Sequence, residues 1–299
     1  MGDSGSTVVL SPAEGDALTF GRIIATGGIG HGIVFALEGN ATLGRNESRL
    51  GRLQEGRDYC KLHIIAHYIA VLLGAGRRVD VIPIGRVGDD EPGRRLAEEI
   101  RATGMRMDEV ARVPGAATLY SVCFLYPDKT GGNITTEQSA SSSLTPADVD
   151  AALARHPTGG VRELVLAAPE VPLETRVRLL ERGAARGAFT VASVLASEAE
   201  AFAAAGGFRV TDLLAVNIDE ARAIGGVADS RADAARIVAA CAERLWREKP
   251  GMLVAVTDGG DGCYACQEGR VGFIPALRVS PVATGGAGDA FLAGVVCGL

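Results

Sequence analysis

The run Ala283-Thr-Gly-Gly-Ala-Gly-Asp-Ala-Phe291 sets a single acid, Asp289, among three glycines and directly ahead of an apolar stretch, 290–299, that can form a helix. Glycine lets the backbone turn successive N–H groups into a concave nest, and a helix starting there adds the positive end of its dipole. Such a place holds an anion. An aspartate inside it is electrostatically awkward unless it has a proton to accept. Asp289 therefore reads as a general base toward a substrate hydroxyl, while the nest Gly286-Ala287-Gly288 stabilises charge on a phosphoryl group in transfer. The plain alternative is a Gly-rich turn with Asp289 as a helix N-cap.

The elements that must position this acid are legible as a rhythm. Strand-like apolar runs at 22–26, 79–84, 119–126, 163–167, 188–194, 212–216 and 252–257 alternate with amphipathic segments. One helix is expected over 58–73 with a stop at Gly74, and another over 92–103 with Gly104 after it. A third opens at Thr145-Pro146, an N-cap followed by proline at the first helical position. This alternation argues a mostly parallel sheet covered by helices on both faces. Two stretches, near 34–57 and 113–137, break the rhythm and read as strands outside the main sheet, a small lid over the strand ends where ligands bind in open α/β sheets.

Composition narrows the class. The 299 residues are 47% hydrophobic and 22% charged, with a formal net charge of -6, so nothing marks a nucleic-acid footprint. The longest apolar run, 64–73, is interrupted by His67 and too short for a bilayer. Residues 1–20 carry acids and no basic start, so they read as a flexible leader rather than a secretory signal. Six scattered cysteines suit the reduced thiols of a cytoplasm, and Cys263 and Cys266, three apart in a strand-like pattern, read as structural. Gly27-Gly-Ile-Gly-His-Gly32 fails the dinucleotide spacing, because Ile33 stands where the last glycine belongs, and no Walker A motif occurs.

Taken together, several stretches resemble the ribokinase-like (PfkB-type) carbohydrate kinases. They are Thr284-Gly-Gly-Ala-Gly-Asp-Ala-Phe291, Ile84-Gly-Arg-Val-Gly-Asp-Asp-Glu-Pro-Gly93, Asn217-Ile-Asp-Glu220 and Val256-Thr-Asp-Gly-Gly-Asp-Gly262. The resemblance implies a three-layer α/β sandwich with a mostly parallel central sheet and a small β lid. It implies ATP and magnesium, with Asp289 as base and Gly286, Ala287 and Gly288 as anion hole. Thr257, Gly259, Gly262, Thr284 and Gly285 fall on the nucleotide side, and Asn217 and Glu220 on the magnesium and phosphate side, Glu220 reaching the metal through water.

Departures from the family pattern concentrate on the sugar side. Gly32 stands where the family carries an aspartate, Cys60-Lys61 and Ile65 replace a glycine pair and an asparagine, and Gly132 precedes the retained Asn133. Ala283 replaces an aspartate that helps hold a monovalent cation, so activation by such ions is expected to be weak or absent. Substrate-side candidates are then Gly32, Lys61, Asn133 and Arg57, and Lys61 or Arg57 suits an acidic substrate. Of the neighbouring cluster Arg57, Asp58, Lys61, His63 and His67, the histidines read as helix-surface residues rather than a metal pair. Family members also continue some tens of residues beyond the position of Leu299. The leading expectation is an ATP-dependent kinase acting on a hydroxyl of a sugar or sugar-like molecule, with a homodimer through the lid as its partner reading. A non-catalytic ligand-binding relative and a nucleoside kinase are the other two.

Overall fold

The computed structural model describes residues 18–55, 58–128, 130–279 and 285–299. In its first half the chain forms β1 (Arg22–Thr26), β2 (Gly30–Leu37), β3 (Gly51–Leu53), β4 (Asp58–Tyr59), α1 (Lys61–Leu73), β5 (Asp80–Gly88), α2 (Glu91–Ala102), β6 (Val110–Val113), β7 (Leu119–Leu125) and β8 (Gly131–Thr135). Next come α3 (Pro146–Arg155), β9 (Glu163–Ala167), α4 (Leu173–Ala185), β10 (Phe189–Ala192), α5 (Ala199–Ala204), β11 (Leu213–Asn217) and α6 (Ile218–Gly225). The last elements are α7 (Ala234–Glu248), β12 (Leu253–Asp258), β13 (Gly262–Gln267), β14 (Arg270–Pro275) and α8 (Ala287–Cys297).

Among the described residues, nine strands make the main sheet in the order β14-β13-β12-β11-β10-β9-β1-β5-β6, parallel from β12 to β6, with the β13–β14 hairpin antiparallel at one edge. The parallel strands are apolar on both faces because helices cover both. Along β1, Ile23 and Ala25 pack with α1, α2 and α8, while Ile24 packs with α3, α4, α6 and α7. The chain leaves β1 for β5 on one side and later takes β9 on the other. That reversal of strand order opens a crevice at the carboxyl end of β1, the usual ligand position in such sheets.

A second sheet has the order β3-β2-β7-β8, with β4 paired to β2. Asp90 anchors it to the helical layer: its carboxylate caps α2 by accepting from Gly93 N–H at 2.9 Å and also accepts from Thr118 N–H at 2.8 Å, at the start of β7. The glycines of that motif are required by packing, since a Cβ on Gly93 would lie 2.3 Å from the carbonyl oxygen of Gly88.

Several boundaries differ from the sequence reading. Strand β2 begins at Gly30, and Val113, read as the start of the second lid stretch, instead ends β6 in the main sheet beside β5. The expected helix over 58–73 starts only at Lys61, because Asp58 and Tyr59 pair with Gly32 and His31 of β2 and Cys60 takes the N-cap. Its stop at Gly74, in the left-handed region, is as expected. Thr145 caps α3 in a capping box with Asp148. Leu18 and Phe20, placed in the leader, pack on the core; residues 1–17 lie outside the described ones.

Helix α1 faces inward through Leu62, Ile65 and Ile69, all fully buried. Ile65 therefore belongs to the core, and Ile64 is the residue that faces the site. The test is stability: Ile65→Ala should lower it by about 2–5 kcal/mol, and Ile64→Ala by less than about half as much. Equal losses in denaturant titrations would refute this register.

Candidate active site

Asp289 is the third residue of α8, and Gly286, at φ 75°, is its N-cap. Among the described residues, no side chain caps this end. The N–H groups of Ala287, Gly288 and Asp289 are among the first four of the helix, which have no partner within it. A Cβ on Gly285 or Gly288 would meet nothing within 4 Å, so protein packing does not demand glycine there. Open amides at a positive helix end, with room left beside them, make an anion site.

Three cavities meet at this point. One of about 160 Å³ is lined by the nest, Asp289, Asn217, Glu220 and Thr257, the last three brought in by the carboxyl ends of β11 and β12. A second, of about 290 Å³, holds Asp289 with Asp58, Cys123, Gly132, Asn133 and Glu170. The third, of about 520 Å³, continues from Asn133 and Glu170 toward Thr135 and Ser139. Asp289 thus stands between a phosphate-sized cavity and a larger one lined by hydroxyl acceptors. A further cavity of about 720 Å³, between α1 and α2, touches the site only through Asp58, Tyr59, Ile64, Gly285 and Gly286.

Burial raises Asp289 above the ordinary aspartate range, and the nearby Lys61 ammonium, 3.7 Å from Oδ1, partly offsets this. Glu220 is likewise raised by burial. It forms a capping box with Asn217: Asn217 N–H donates to Glu220 Oε2 at 2.8 Å, and Glu220 N–H to Asn217 Oδ1 at 2.9 Å. The helix cap is therefore real, and both residues still line the phosphate-side cavity.

Glu170 escaped the sequence reading. It follows β9 in the turn Ala168-Pro-Glu-Val-Pro172, at φ 75°, a conformation costly for a non-glycine residue. Its Oε2 accepts from Lys61 N–H at 2.9 Å, so it caps α1 where the N-cap Cys60 has no side chain to do so. Gly28 makes the room, since a Cβ there would lie 2.4 Å from that oxygen. Burial lifts the Glu170 pKa to about 7. The usable signal was position: the residues just past a central strand's carboxyl end.

Ser121 and Asp58 together fill the space beside Gly32, where a Cβ would lie 2.2 Å from Ser121 Oγ. Gly32 and Asp58 pair across β2 and β4, Ser121 pairs with Gly32 from the other side, and a Cβ on Gly32 would lie 2.7 Å from Asp58 Oδ2. Ser121 Oγ donates to that oxygen at 2.7 Å and Cys123 Sγ at 3.1 Å. An acid thus stands beside Gly32, carried by a different strand.

Other candidates land elsewhere. Gly259 and Gly262 sit in the β12–β13 turn and do not line these cavities; Gly262 is required because a Cβ would lie 2.2 Å from the Ile274 carbonyl oxygen. Arg57, Ala283 and Thr284 lie outside the described residues. His63 is buried, not on the helix surface: its ring lies 4.3 Å from that of Tyr59, and burial drops its pKa to about 3. Among the described residues no group of His, Cys, Asp and Glu could hold a metal ion by itself, all six cysteines are free, and no helix is long and apolar enough to cross a membrane.

A mostly parallel sheet between helical layers, with an acid-bearing glycine nest at its carboxyl edge, defines the ribokinase-like class of folds. The chain belongs to the pfkB family of carbohydrate kinases, whose profile matches residues 65–299. Among solved structures it is similar to ribokinase from Giardia lamblia (20% identity over 91% of this chain and 81% of that one, TM-score 0.74). It is also similar to ribokinase from Cryptococcus neoformans var. grubii in complex with ADP (19%, 93% and 88%, TM-score 0.73). Anopheles gambiae adenosine kinase in complex with a di(adenosine) tetraphosphate matches as well (19%, 94% and 90%, TM-score 0.72). At these identities the likeness is one of fold. A comparison with curated protein sequences found no match.

The elevated Glu170 pKa has a thermodynamic consequence. A carboxyl raised from 4.5 to about 7 holds its proton longer folded than unfolded, so stability falls as pH climbs through that window. Glu170→Gln keeps the acceptor for Lys61 N–H and removes the buried charge. It should raise stability by on the order of a few kcal/mol near pH 8 and by almost nothing below about pH 4.5. A gain that does not vary with pH would sink this account.

Proposed function

We propose that this protein transfers the γ-phosphoryl group of ATP to a hydroxyl of an uncharged, polyhydroxylated small molecule, a sugar or nucleoside. The observation that carries this reading is the seat of Asp289: at the end of an open amide nest and between the two kinds of cavity. The acceptor lies in the cavity of Asp58, Asn133 and Glu170, where carboxylates and an amide receive its hydroxyls. Asp289 takes the proton of the reacting hydroxyl as the oxygen–phosphorus bond forms. The bond from phosphorus to the β–γ bridging oxygen breaks, and ADP leaves with those electrons. The amides of Ala287, Gly288 and Asp289 stabilise the equatorial oxygens in transfer.

Glu220 and Asn217 would hold magnesium, which when bound would supply positive charge against the phosphates of the nucleotide. The donor set here fits an ion held mostly by phosphate and water. One oxygen of Glu220 is engaged by the Asn217 N–H, which leaves Oε1 to reach a water of the ion. An acidic acceptor, expected from Arg57 and Lys61, is replaced by an uncharged one. Lys61 is paired with Asp289, and the cavities around it are lined by Asp58, Glu170, Glu220 and Asp289. The space of about 520 Å³ beside Asn133 is the reason nucleosides stand beside sugars as candidates. The second sheet covers this cavity as a lid, and a homodimer through it remains part of the proposal.

Release of ADP, measured across sugars, cyclic polyols and nucleosides with magnesium present, tests the assignment. Asp289→Asn should lower kcat by about two to four powers of ten with folding and nucleotide affinity nearly unchanged. Retention of more than about a tenth of kcat would remove Asp289 from the role of base. Glu220→Gln should raise the magnesium concentration for half-maximal rate without moving the acceptor KM. If neither quantity responds, Asn217 and Glu220 serve only as a helix cap.

A further inference from the structure

Lys61 sits where a cation is least at home. It is the first residue of α1, over the positive end of that helix, and the first turn holds no acid of its own. Its ammonium reaches toward a second positive end, the N-terminus of α8, where it meets Asp289. The pair is 3.7 Å apart, longer than a good hydrogen bond, so Lys61 is held by charge rather than by a fixed donor geometry. Stability of α1 gains nothing from a lysine at this position.

Position supplies the reason. Among the described residues, Lys61 alone lines all three cavities: the one with the nest and Glu220, and both of those with Asn133 and Glu170. It is also the one cation among their described lining residues. A phosphoryl group passing from the nest to an acceptor hydroxyl moves between cavities that Lys61 lines. Asp289, meanwhile, cannot accept a proton well while an ammonium stabilises its ionised form.

We propose that Lys61 is a catalytic residue that exchanges partners, its ammonium leaving Asp289 for the γ-phosphoryl group of the bound nucleotide. This rests on the kinase reading above. The exchange places positive charge on the group in transfer and frees Asp289 to take the acceptor proton. Atoms balance without Lys61 giving up a proton. The acceptor oxygen bonds to the γ-phosphorus, its proton goes to Asp289, and the bridging oxygen leaves with ADP. Burial pulls the Lys61 pKa down, but Asp289, Glu170 and Glu220 more than compensate and hold it above its ordinary value. It therefore acts as a charge rather than as an acid or base.

The test compares ADP with a non-hydrolysable ATP analogue, each with magnesium, by calorimetry on wild type, Lys61→Met and Lys61→Arg. Lys61→Met should weaken the analogue by about 10- to 100-fold while ADP changes by less than about threefold, and Lys61→Arg should restore most of the loss. In turnover, Lys61→Met should lower kcat by about two to three powers of ten with the acceptor KM nearly unchanged. Equal losses for both nucleotides, or none, would overturn the proposal. So would a raised acceptor KM at unchanged kcat, which would assign Lys61 to the acceptor side. A wild type that binds neither nucleotide would instead remove the kinase reading, and this proposal with it. Should Lys61→Met not fold, the wild type decides. The methylene NMR signal next to the Lys61 ammonium should shift with the analogue and not with ADP, and a shift common to both would refute the exchange.

Discussion

Helices α1 and α8 bring their N-terminal ends to one point at the carboxyl edge of the sheet, and the positive charge gathered there constrains everything around it. Lys61 adds a full charge to two dipole ends, and Asp289, Glu170 and Glu220 supply the balance. Two unit charges about 4 Å apart attract by roughly 4 kcal/mol at an effective dielectric near 20, which is comparable with the cost of burying them. The groups are therefore coupled. Burial raises all three acids, the ammonium opposes it for each of them, and a change at one position alters the protonation of the others.

This arrangement works against local stability. Glu170 holds a backbone conformation that glycine would adopt more readily, and it carries a buried carboxyl that caps a helix through a main-chain N–H. The surrounding core makes that tolerable. Ile65 and Leu62 of α1 and Leu292 and Val296 of α8 lock the two helices against the same face of the sheet, so their ends cannot separate to relieve the charge. Strain concentrated where the three cavities meet is of the kind that function rather than packing maintains.

The sequence exposed those parts of the site that are local in the chain. Asp289 and its glycines lie within one turn, and Asn217 and Glu220 within another, so spacing alone could place them. The parallel strands were legible because burial on both faces makes them continuously apolar. The acceptor side was not, because it is assembled by pairing between distant segments. Asp58 reached its place because β4 pairs with β2, which overrode the helical pattern that ran through it. Ile64 and Ile65 were exchanged for a similar reason: only the packing of α1 on α8 and the sheet decides which of two adjacent isoleucines faces inward. The spacing of His63 and His67 on one helix face reads as a surface pair, and it is Tyr59, drawn in by the same strand pairing, that packs against His63.

That division bears on how such a protein changes its acceptor. The nest, Asp289, Asn217, Glu220 and Thr257 all lie within the stretch matching the pfkB profile, whereas Gly32, Asp58 and Lys61 precede it. Asp58 is fixed by Ser121 and Cys123 of β7 and by its pairing with β2, none of which touches the packing of α8. An acid can therefore be moved from one strand to its neighbour, with a glycine left behind, without disturbing the geometry around Asp289. Lys61 is the exception, because it belongs to α1 and faces both sides. A substitution there changes the charge beside Asp289 and beside the nest together, so Lys61 cannot be exchanged without altering the charge balance where the cavities meet.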